Sequence, residues 1–400
     1  MRHKRGFILF SIVLISCISI LLVMPLISWS INEYSWTVRS FRSLKALNLA
    51  DAGVELAVWE IIHNAAQFTG WTGGNPKSLN LTSFTDNAGG VIGDIAISLD
   101  ETSSDNYLIT STGVVPFSSN VTVGKTVKVK VFPRALFSNG IFGYDSVTAS
   151  GNGLVDSYDS SQGPYSPSTA GSNGDIGTNG TLTVSGNAVL NSDVFIGPNG
   201  SISGNLSAHV TGQTYYSGNE VELELVSVPG YLSSLTDLGN LQVSGNNSLT
   251  ILTGDYHYRD ISVSGNATLT INANTNIYVE EDFSISGNGK VFTNENVKIY
   301  IGEDGQFSGN GIMNVSGIPS DLQIYGVGST GNFSFSGNND FSGTLHAPES
   351  PVTITGNAEF CGAVVGSDVV FTGNGAFHYD ENLGQNGPFL GYNIAYWQED

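Results

Sequence analysis

The sequence predicts a mainly β protein, in which a right-handed parallel β-helix (a β-solenoid) follows a long N-terminal α-helix and a small β-sheet. Three observations lead to this fold class. A Ser-Gly-Asn or Thr-Gly-Asn tripeptide occurs twelve times between residues 150 and 374. An uncharged stretch of 23 residues covers positions 7–29. Between them, residues 93–133 contain three segments in which apolar and polar residues alternate.

The chain begins with a basic leader, residues 1–6, which contains Arg2, Lys4 and Arg5. The uncharged stretch that follows is long enough to span a bilayer, because about 20 residues cross the hydrocarbon core as a helix. Basic residues stay on the cytoplasmic side, so we predict a single span with a cytoplasmic N-terminus. The alternative is a cleaved secretory signal, which normally has a shorter apolar segment and a small-residue cleavage site.

The helix is predicted to continue beyond the membrane, so that it covers residues 7–66. Residues 30–66 contain no proline and are rich in Leu, Ala and Glu. Apolar residues recur at helical spacings, among them Phe41, Leu44 and Trp59. Such a helix is roughly 90 Å long at 1.5 Å per residue. That length exceeds what a membrane anchor needs, so the second half must have another role.

Residues 67–137 are predicted to form a small antiparallel sheet that packs on the second half of the helix. The segments GDIAISLDE, NYLITSTGVV and KTVKVKVFP alternate as half-exposed strands do. Val127, Val129 and Val131 are expected to face the helix, with Lys128 and Lys130 on the opposite side.

The tripeptide repeat predicts the solenoid, which we place at residues 138–383. Steps between successive tripeptides cluster near twenty residues, a period typical of stacked one-turn units. Gly and Asn tolerate positive φ better than other residues, so each Gly-Asn pair is interpreted as a corner. Stacked Asn amides can also hydrogen-bond in a ladder along the stack. The predicted structural corners are Asn187, Asn246, Asn266, Asn288, Asn310, Asn338, Asn357 and Asn374.

Longer steps in the repeat, at 152–184 and 219–243, are predicted to be excursions from the coil. Residues 384–400 are rich in aromatic side chains and follow the last corner. Because a solenoid needs its ends covered, we expect this segment to form a C-terminal cap.

The N-terminal residues resemble type IV pilins and pseudopilins. Gly6-Phe7 before a hydrophobic span matches their processing site, and KALNLADAGVELAVWEI resembles the helix of PilX-type minor pilins. The resemblance implies that prepilin peptidase cuts after Gly6 and methylates Phe7, in the bacterial inner membrane. It also implies that residues 7–66 bind pilus or pilus-assembly proteins, and that residues 67–137 are the pilin headgroup sheet. Ser11 departs from the family, which usually has Glu at this position, and this argues against a major fibre subunit.

Residues 341–383 resemble the C-terminal β-solenoid domain found behind PilX-type N-termini in bacterial proteins of unassigned function. The resemblance is carried by the phrases GTLHAP, GAVVG and HYD in that order. Bactofilins share the architecture more loosely and lack a pilin-like leader.

Charge and composition exclude several functions. The chain has 14 Lys and Arg against 35 Asp and Glu, and residues 66–400 contain eight basic against 31 acidic residues. A nucleic-acid-binding protein needs a basic surface, so no nucleic-acid partner is expected. The acidic stretches at 301–306 and 379–387 do not match a calcium-ligand spacing. We therefore expect neither a metal nor a cofactor.

Cysteine usage offers one weak catalytic hypothesis. Cys17 lies in the predicted span and Cys361 in the solenoid, with His378 17 residues further on, about one turn away. A nucleophilic cysteine needs such a base, but we interpret Cys361 as a small buried hydrophobic residue.

Three function classes follow. The favoured one is a non-catalytic, minor-pilin-like surface protein whose solenoid serves assembly or adhesion, with a surface or carbohydrate ligand. The second is a membrane-tethered, bactofilin-like scaffold. The third, a polysaccharide lyase or hydrolase, needs clustered carboxylates that the corners do not supply.

Overall fold

A computed structural model describes residues 3–64, 68, 70–85, 89–103, 106–118, 121–308, 311–337, 340–357 and 359–399. It confirms the predicted fold class: about 48% of the chain is strand, and a parallel β-solenoid of about nine turns follows a long apolar helix and a small antiparallel sheet. The chain forms two compact units, Met1–Arg134 with Gly391–Asp400, and Ala135–Leu390.

In chain order, the helices and strands are α1 (His3–Asn64), β1 (Lys77–Thr85), β2 (Val91–Ser103), β3 (Asn106–Ser118), β4 (Val121–Ala135), β5 (Ile141–Gly151), β6 (Leu154–Tyr158), β7 (Ile176–Thr178), β8 (Thr181–Val184), β9 (Val189–Leu190), β10 (Val194–Ile196), β11 (Ser201–Ser203), β12 (Thr214–Tyr216), α2 (Gly230–Ser233), β13 (Leu241–Val243), β14 (Ser248–Ile251), β15 (Gly254–Tyr258), β16 (Ile261–Val263), β17 (Thr268–Ile271), β18 (Thr275–Val279), β19 (Phe283–Ile285), β20 (Lys290–Thr293), β21 (Val297–Ile301), β22 (Gly305–Phe307), β23 (Ile312–Asn314), β24 (Leu322–Gly326), β25 (Phe333–Gly337), β26 (Phe341–Ala347), β27 (Val352–Gly356), β28 (Glu359–Gly373), β29 (Ala376–Asp380), α3 (Leu383–Asn386) and β30 (Phe389–Glu399). Single 3-10 turns lie at Ser160–Gln162, Leu206–Ala208 and Pro319–Asp321.

Helix α1 packs its second half on the small sheet through small side chains. Ala46, Ala50 and Ala57 are fully buried there, together with Leu49, Val54 and Ile61. Phe41, Leu44 and Trp59, which recur at helical spacings, are exposed. Small residues form the buried face because they let the helix and sheet backbones approach closely, whereas larger side chains do not. At Gly113 of β3, an added Cβ would meet the backbone of Ala46 and Ala50.

The small sheet is antiparallel and has the order β1-β2-β3-β4-β30. Val127, Val129 and Val131 are fully buried against the helix side, and the alternation places Lys128 and Lys130 on the other face. Residues 384–400, expected as a cap on the solenoid, differ from that expectation. β30 supplies a fifth strand beside β4, which covers a sheet edge that would otherwise be unpaired.

The solenoid consists of three columns of parallel strands. Column A contains β13, β16, β19, β22, β25, β27, β28, β5, β8 and β11. Column B contains β15, β18, β21, β24, β26, β28, β5, β7, β10 and β12. Column C contains β14, β17, β20 and β23, and in a second part β28, β29, β6 and β9.

The turns are not stacked in sequence order. Residues 241–380 form one block, and residues 141–216, which precede them in the chain, stack on the far end of that block. We call the junction, where β28 and β29 pair with β5 and β6, the seam. Residues 217–240, the strap, run back along the solenoid to connect the two outer ends. The predicted excursion at 219–243 is therefore the return path of the chain.

The chain enters and leaves the solenoid at the same level, next to the seam. The Leu136 amide donates to the Pro388 carbonyl at 2.9 Å, and the Tyr379 hydroxyl donates to the Phe137 carbonyl at 2.8 Å. The interior is a continuous apolar column, in which the Phe335 ring contacts Phe307 in a tilted geometry and Phe360 edge-on, from one turn to the next. Each turn thus buries its inward side chains only against its neighbours.

Candidate functional site

The first half of α1 is apolar, and its described side chains are exposed. Between Ile12 and Trp36 they include many Ile, Leu and Val residues that are about half or more exposed, and Trp36 is 72% exposed. By length and composition this helix is able to cross a membrane, and its most apolar stretch contains no buried residue. Exposing such a large apolar surface to water is unfavourable, so a membrane or an apolar partner must cover it.

The predicted processing residues lie near the start of this helix. The backbone of Gly6, Phe7 and Ser11 is helical within α1. Helix α1 also contains Pro25 without ending there.

Six of the predicted corner asparagines lie in two amide ladders. In the first, Asn187 donates to Asn152 at 3.0 Å, Asn152 to Asn374 at 2.7 Å, and Asn374 to Asn357 at 3.1 Å. In the second, Asn288 donates to Asn266 at 3.0 Å and Asn266 to Asn246 at 3.1 Å. Asn310 and Asn338 lie outside the described residues. Asn152, which belongs to the first tripeptide, is a ladder member that was not among the predicted corners.

The corner conformation is carried by glycine and not by the asparagine that follows it. Gly151, Gly186, Gly265, Gly287, Gly356 and Gly373 all have positive φ. The described residues with positive φ other than glycine are Phe68, Ser83, Asn274 and Asn296, none of which belongs to a tripeptide. In the tripeptide, therefore, Gly makes the bend and Asn makes the ladder.

A ladder of aspartates was not anticipated. Asp260, Asp282 and Asp304 lie 22 residues apart, and each carboxylate accepts a hydrogen bond from a backbone amide of the next turn, those of Asp282, Asp304 and Asn332. The equal spacing was visible in the sequence. The aspartate ladder gives the acidic stretch at 301–306 a structural role, because Asp304 Oδ1 accepts a hydrogen bond from Asn332 N at 2.9 Å. Among the described residues, no group of three or more His, Cys, Asp and Glu side chains could hold a metal ion.

Cys361 and His378 are brought together at the seam. They are register partners on β28 and β29. Cys361 was expected to be buried and is half-buried; this burial, with a further contribution from Glu359, raises the pKa of its thiol to about 12. A thiolate is the nucleophilic form of cysteine, so this environment works against nucleophilic chemistry at neutral pH.

His378 instead belongs to a buried polar contact across the seam. Its Nδ1 contacts Asp156 Oδ1, and its ring stacks on Tyr165 with a centroid separation of 3.5 Å. The Tyr165 hydroxyl donates to Asp156 Oδ2 at 3.0 Å. This arrangement fastens the two blocks of the solenoid to each other.

Tyr165 lies between β6 and β7, within the segment 152–184 that was predicted to be an excursion. The predicted bounds were wrong, because β6, β7 and β8 inside this segment are strands of the solenoid.

Comparison with known proteins gives limited information. A family model described as a domain of unknown function, DUF7305, matches residues 228–386. Those residues cover the second half of the strap and the block from β13 to β29. No curated protein matches the chain. The crystal structure of the competence-associated pilin ComZ from Thermus thermophilus is similar with a TM-score of 0.27 and 11% identity, over 90% of this chain and 97% of that chain. At that TM-score the similarity supports no argument about fold or function.

Proposed function

We propose that this chain is a pilus-associated, minor-pilin-like surface protein without catalytic activity, anchored by α1 and displaying the β-solenoid outside the cell. One observation carries the proposal. A single helix has an apolar, exposed first half and a second half whose buried face, with Ala46, Ala50 and Ala57, packs on an antiparallel sheet. A membrane anchor alone needs only the first half, because about 20 residues span the bilayer.

The leader supports processing by prepilin peptidase. Gly6-Phe7 precedes the uncharged span, and the basic residues before it favour a cytoplasmic location of the cleavage site. Ser11, in place of the usual Glu, fits a minor subunit better than a fibre-forming one.

Contact with other pilus components is expected along α1 beyond the span. Phe41 and Leu44 are 58% and 56% exposed, although they lie in the half of the helix that carries the sheet. Exposed large apolar side chains on adjacent helical turns are suited to packing against another helix. We infer that this side of α1 binds neighbouring subunits.

The proposed lack of catalytic activity is supported by the surroundings of Cys361 and of three aspartates. Cys361 is held as a thiol by burial, and the carboxylates of Asp260, Asp282 and Asp304 bind backbone amides instead of facing a common cleft.

A tethered, bactofilin-like scaffold is the second candidate, and one observation favours it. At the outer end of the solenoid, at β14, Leu249 and Leu252 are 40% and 64% exposed. End-to-end stacking at that surface is the alternative use of the solenoid. It predicts no dependence on prepilin peptidase.

The two candidates are separated by fractionating the native host. Sheared surface filaments and membranes are probed for the chain in cells with and without active prepilin peptidase, and with Gly6→Val in place of the natural residue. Ile8→Val, in the same helix, is the matched control. Loss from the filament fraction on removal of the peptidase and with Gly6→Val, but not with Ile8→Val, supports the pilin-like role. A chain found only in membranes under all conditions contradicts it.

A further inference from the structure

A short basic segment of α1 follows its apolar half. Residues 37–45 contain Arg39, Arg42 and Lys45 and no acidic residue. The chain as a whole has a formal net charge of −21 and 14 Lys and Arg residues, so three of its basic residues are concentrated in this segment. Such a concentration attracts anions to this part of the helix.

The aromatic residues before this segment indicate where the membrane surface lies. Trp29, Tyr34 and Trp36 are exposed on α1, and exposed Trp and Tyr side chains of a membrane helix gather at the membrane–water interface. At 1.5 Å per residue, Arg39 lies only about 5 Å further along the helix than Trp36. Helical side chains lean towards the N-terminus, which here is the side of the membrane. Basic groups of the segment are therefore placed at the level of the lipid headgroups.

A groove of about 600 Å³ lies between this segment and the small sheet. Its apolar walls include Val38 and Phe41 of α1, Val91 and Ile92 of β2, and Val115 of β3. None of the described residues that line it is acidic. The volume is within the range of about 300–1,000 Å³ that is usual for ligand sites.

Two cationic groups lie at the wall of this groove. Arg42 Nη1 donates to the carbonyl of Pro116, and both residues line the groove. Lys45 Nζ lies 4.9 Å from the centroid of the Phe41 ring, which is one helical turn closer to the membrane and also lines the groove.

The charge of these two cations is not neutralised by a described carboxylate. In the described part of the chain, their contacts are to a carbonyl and to the rings of Phe41 and Phe117. A guanidinium has five N–H donors, of which the bond from Arg42 to Pro116 uses one, and its planar geometry suits a phosphate group. The groove thus offers an anion both charge and hydrogen-bond donors.

We propose that this groove binds an anionic phospholipid, with the phosphodiester on Arg42 and Lys45 and the first part of an acyl chain against Val38 and Phe41. A phospholipid supplies both groups that the groove can hold, an anion and an apolar chain, and the membrane places it beside the groove. A soluble phosphate would use the charge and leave the apolar walls uncovered.

This inference rests on one part of the proposed function, the anchoring by α1, and is independent of assembly into a pilus. In a filament, a neighbouring subunit that packs on Phe41 would displace the lipid. The site therefore belongs to the membrane-anchored chain.

The test uses the full chain in nanodiscs that contain phosphatidylglycerol and phosphatidylcholine with the same acyl chains. Native mass spectrometry after release from the nanodiscs gives the ratio of the two lipids that stay bound to one chain. Arg42→Gln with Lys45→Gln removes the two cations, and Val91→Glu adds a negative charge to the groove without touching the bond from Arg42 to Pro116. Lys130→Gln, on the opposite face of the sheet, is the matched control. Glycerol 3-phosphate is the soluble competitor.

We expect the natural chain to retain phosphatidylglycerol in preference to phosphatidylcholine, also in the presence of glycerol 3-phosphate. The double variant should lower this preference roughly 10-fold, Val91→Glu should lower it as well, and Lys130→Gln should leave it unchanged. Circular dichroism checks the folding of each variant. If the double variant does not fold, Val91→Glu decides.

Three results would overturn the proposal. They are the lack of a preference for phosphatidylglycerol, an equal loss with Lys130→Gln, and displacement of the lipid by glycerol 3-phosphate, which would indicate a site for a soluble anion. Carbonate extraction of the host membranes tests the anchor separately. A chain that is integrated but shows no lipid preference overturns this inference alone, whereas a chain that is not integrated contradicts the anchor as well.

Discussion

Asn152 Nδ2 donates a hydrogen bond to Asn374 Oδ1 at 2.7 Å, although 222 residues separate the two in sequence. This bond continues one ladder across the seam, from Asn187 through Asn152 and Asn374 to Asn357. The two blocks of the solenoid therefore behave as one stack, built from segments that are far apart in the chain. Folding of the solenoid must close this long-range contact, for which loop-closure entropy has to be overcome.

The ladder predicts unequal effects of two asparagine substitutions. Asn374 makes two ladder bonds, with Asn152 and Asn357, whereas Asn246 accepts one, from Asn266. Since a net hydrogen bond is worth about 0.5–1.5 kcal/mol, Asn374→Ala should lower the free energy of unfolding by about twice as much as Asn246→Ala. Chemical denaturation of the full chain measures both. Equal losses would show that the amide ladder does not contribute bond by bond.

A pair of glycines separates backbone strain from crowding. Gly356 and Gly245 both have positive φ, +115° and +70°. A Cβ at Gly356 would meet the Gly337 carbonyl of the turn below, whereas a Cβ at Gly245 has no atom within 4 Å. Gly245→Ala should cost about 1–2 kcal/mol from φ alone, and Gly356→Ala distinctly more. Thermal unfolding of the two variants measures the difference, and a larger loss for Gly245→Ala would contradict the assigned stacking order.

The buried His346 predicts acid destabilisation. Because burial lowers its folded-state pKa to about 4 from about 6.5, the unfolded chain binds this proton more readily. The contribution of His346 to stability is therefore full above about pH 6.5 and is lost as the pH falls towards 4. At 1.36 kcal/mol per pKa unit the loss is on the order of 3 kcal/mol. Unfolding free energies at pH 7 and pH 4.5 should differ more in the natural chain than in His346→Gln, in which the same carboxylates titrate. Parallel pH profiles would show that His346 is not buried as described.

The Cys361 thiol should be unreactive in the folded protein. Its pKa of about 12 leaves almost no thiolate at pH 8, and only the thiolate is alkylated. Mass spectrometry after iodoacetamide treatment should find Cys361 unmodified in the native chain and modified in urea. Alkylation of native Cys361 at the rate of a free thiol would reopen the nucleophile hypothesis.

The sequence predicted the elements better than their arrangement. The period of the turns could be predicted because tripeptide corners use a glycine at positive φ, such as Gly265 or Gly373, and this preference leaves a repeating pattern in the sequence. The long helix was readable because its first half lacks charge. The order in which the turns stack could not be predicted from the sequence. Parallel pairing between β28 and β5 uses the same local residue pattern as pairing between consecutive turns.

The candidate sites followed the same division. The ladders of Asn and Asp correspond to a regular spacing of those residues in the sequence. A cavity beside His346 could not be predicted in this way, because it depends on how the strap, residues 217–240, returns across a surface formed by β21, β24 and β26. The buried face of α1 depends on tertiary packing in the same way: close approach to Gly113 selects Ala46 and Ala50, which hydrophobic spacing alone does not favour.

The most direct test of the pilin-like account is the N-terminal mass of the chain from its native host. Intact and peptide mass spectrometry is applied to protein from sheared filaments and from membranes. The account predicts a mature chain that begins at N-methylated Phe7, with residues 1–6 removed after Gly6. A chain that retains Met1 or Arg2 in every fraction, or that is cut after the apolar span, would contradict it.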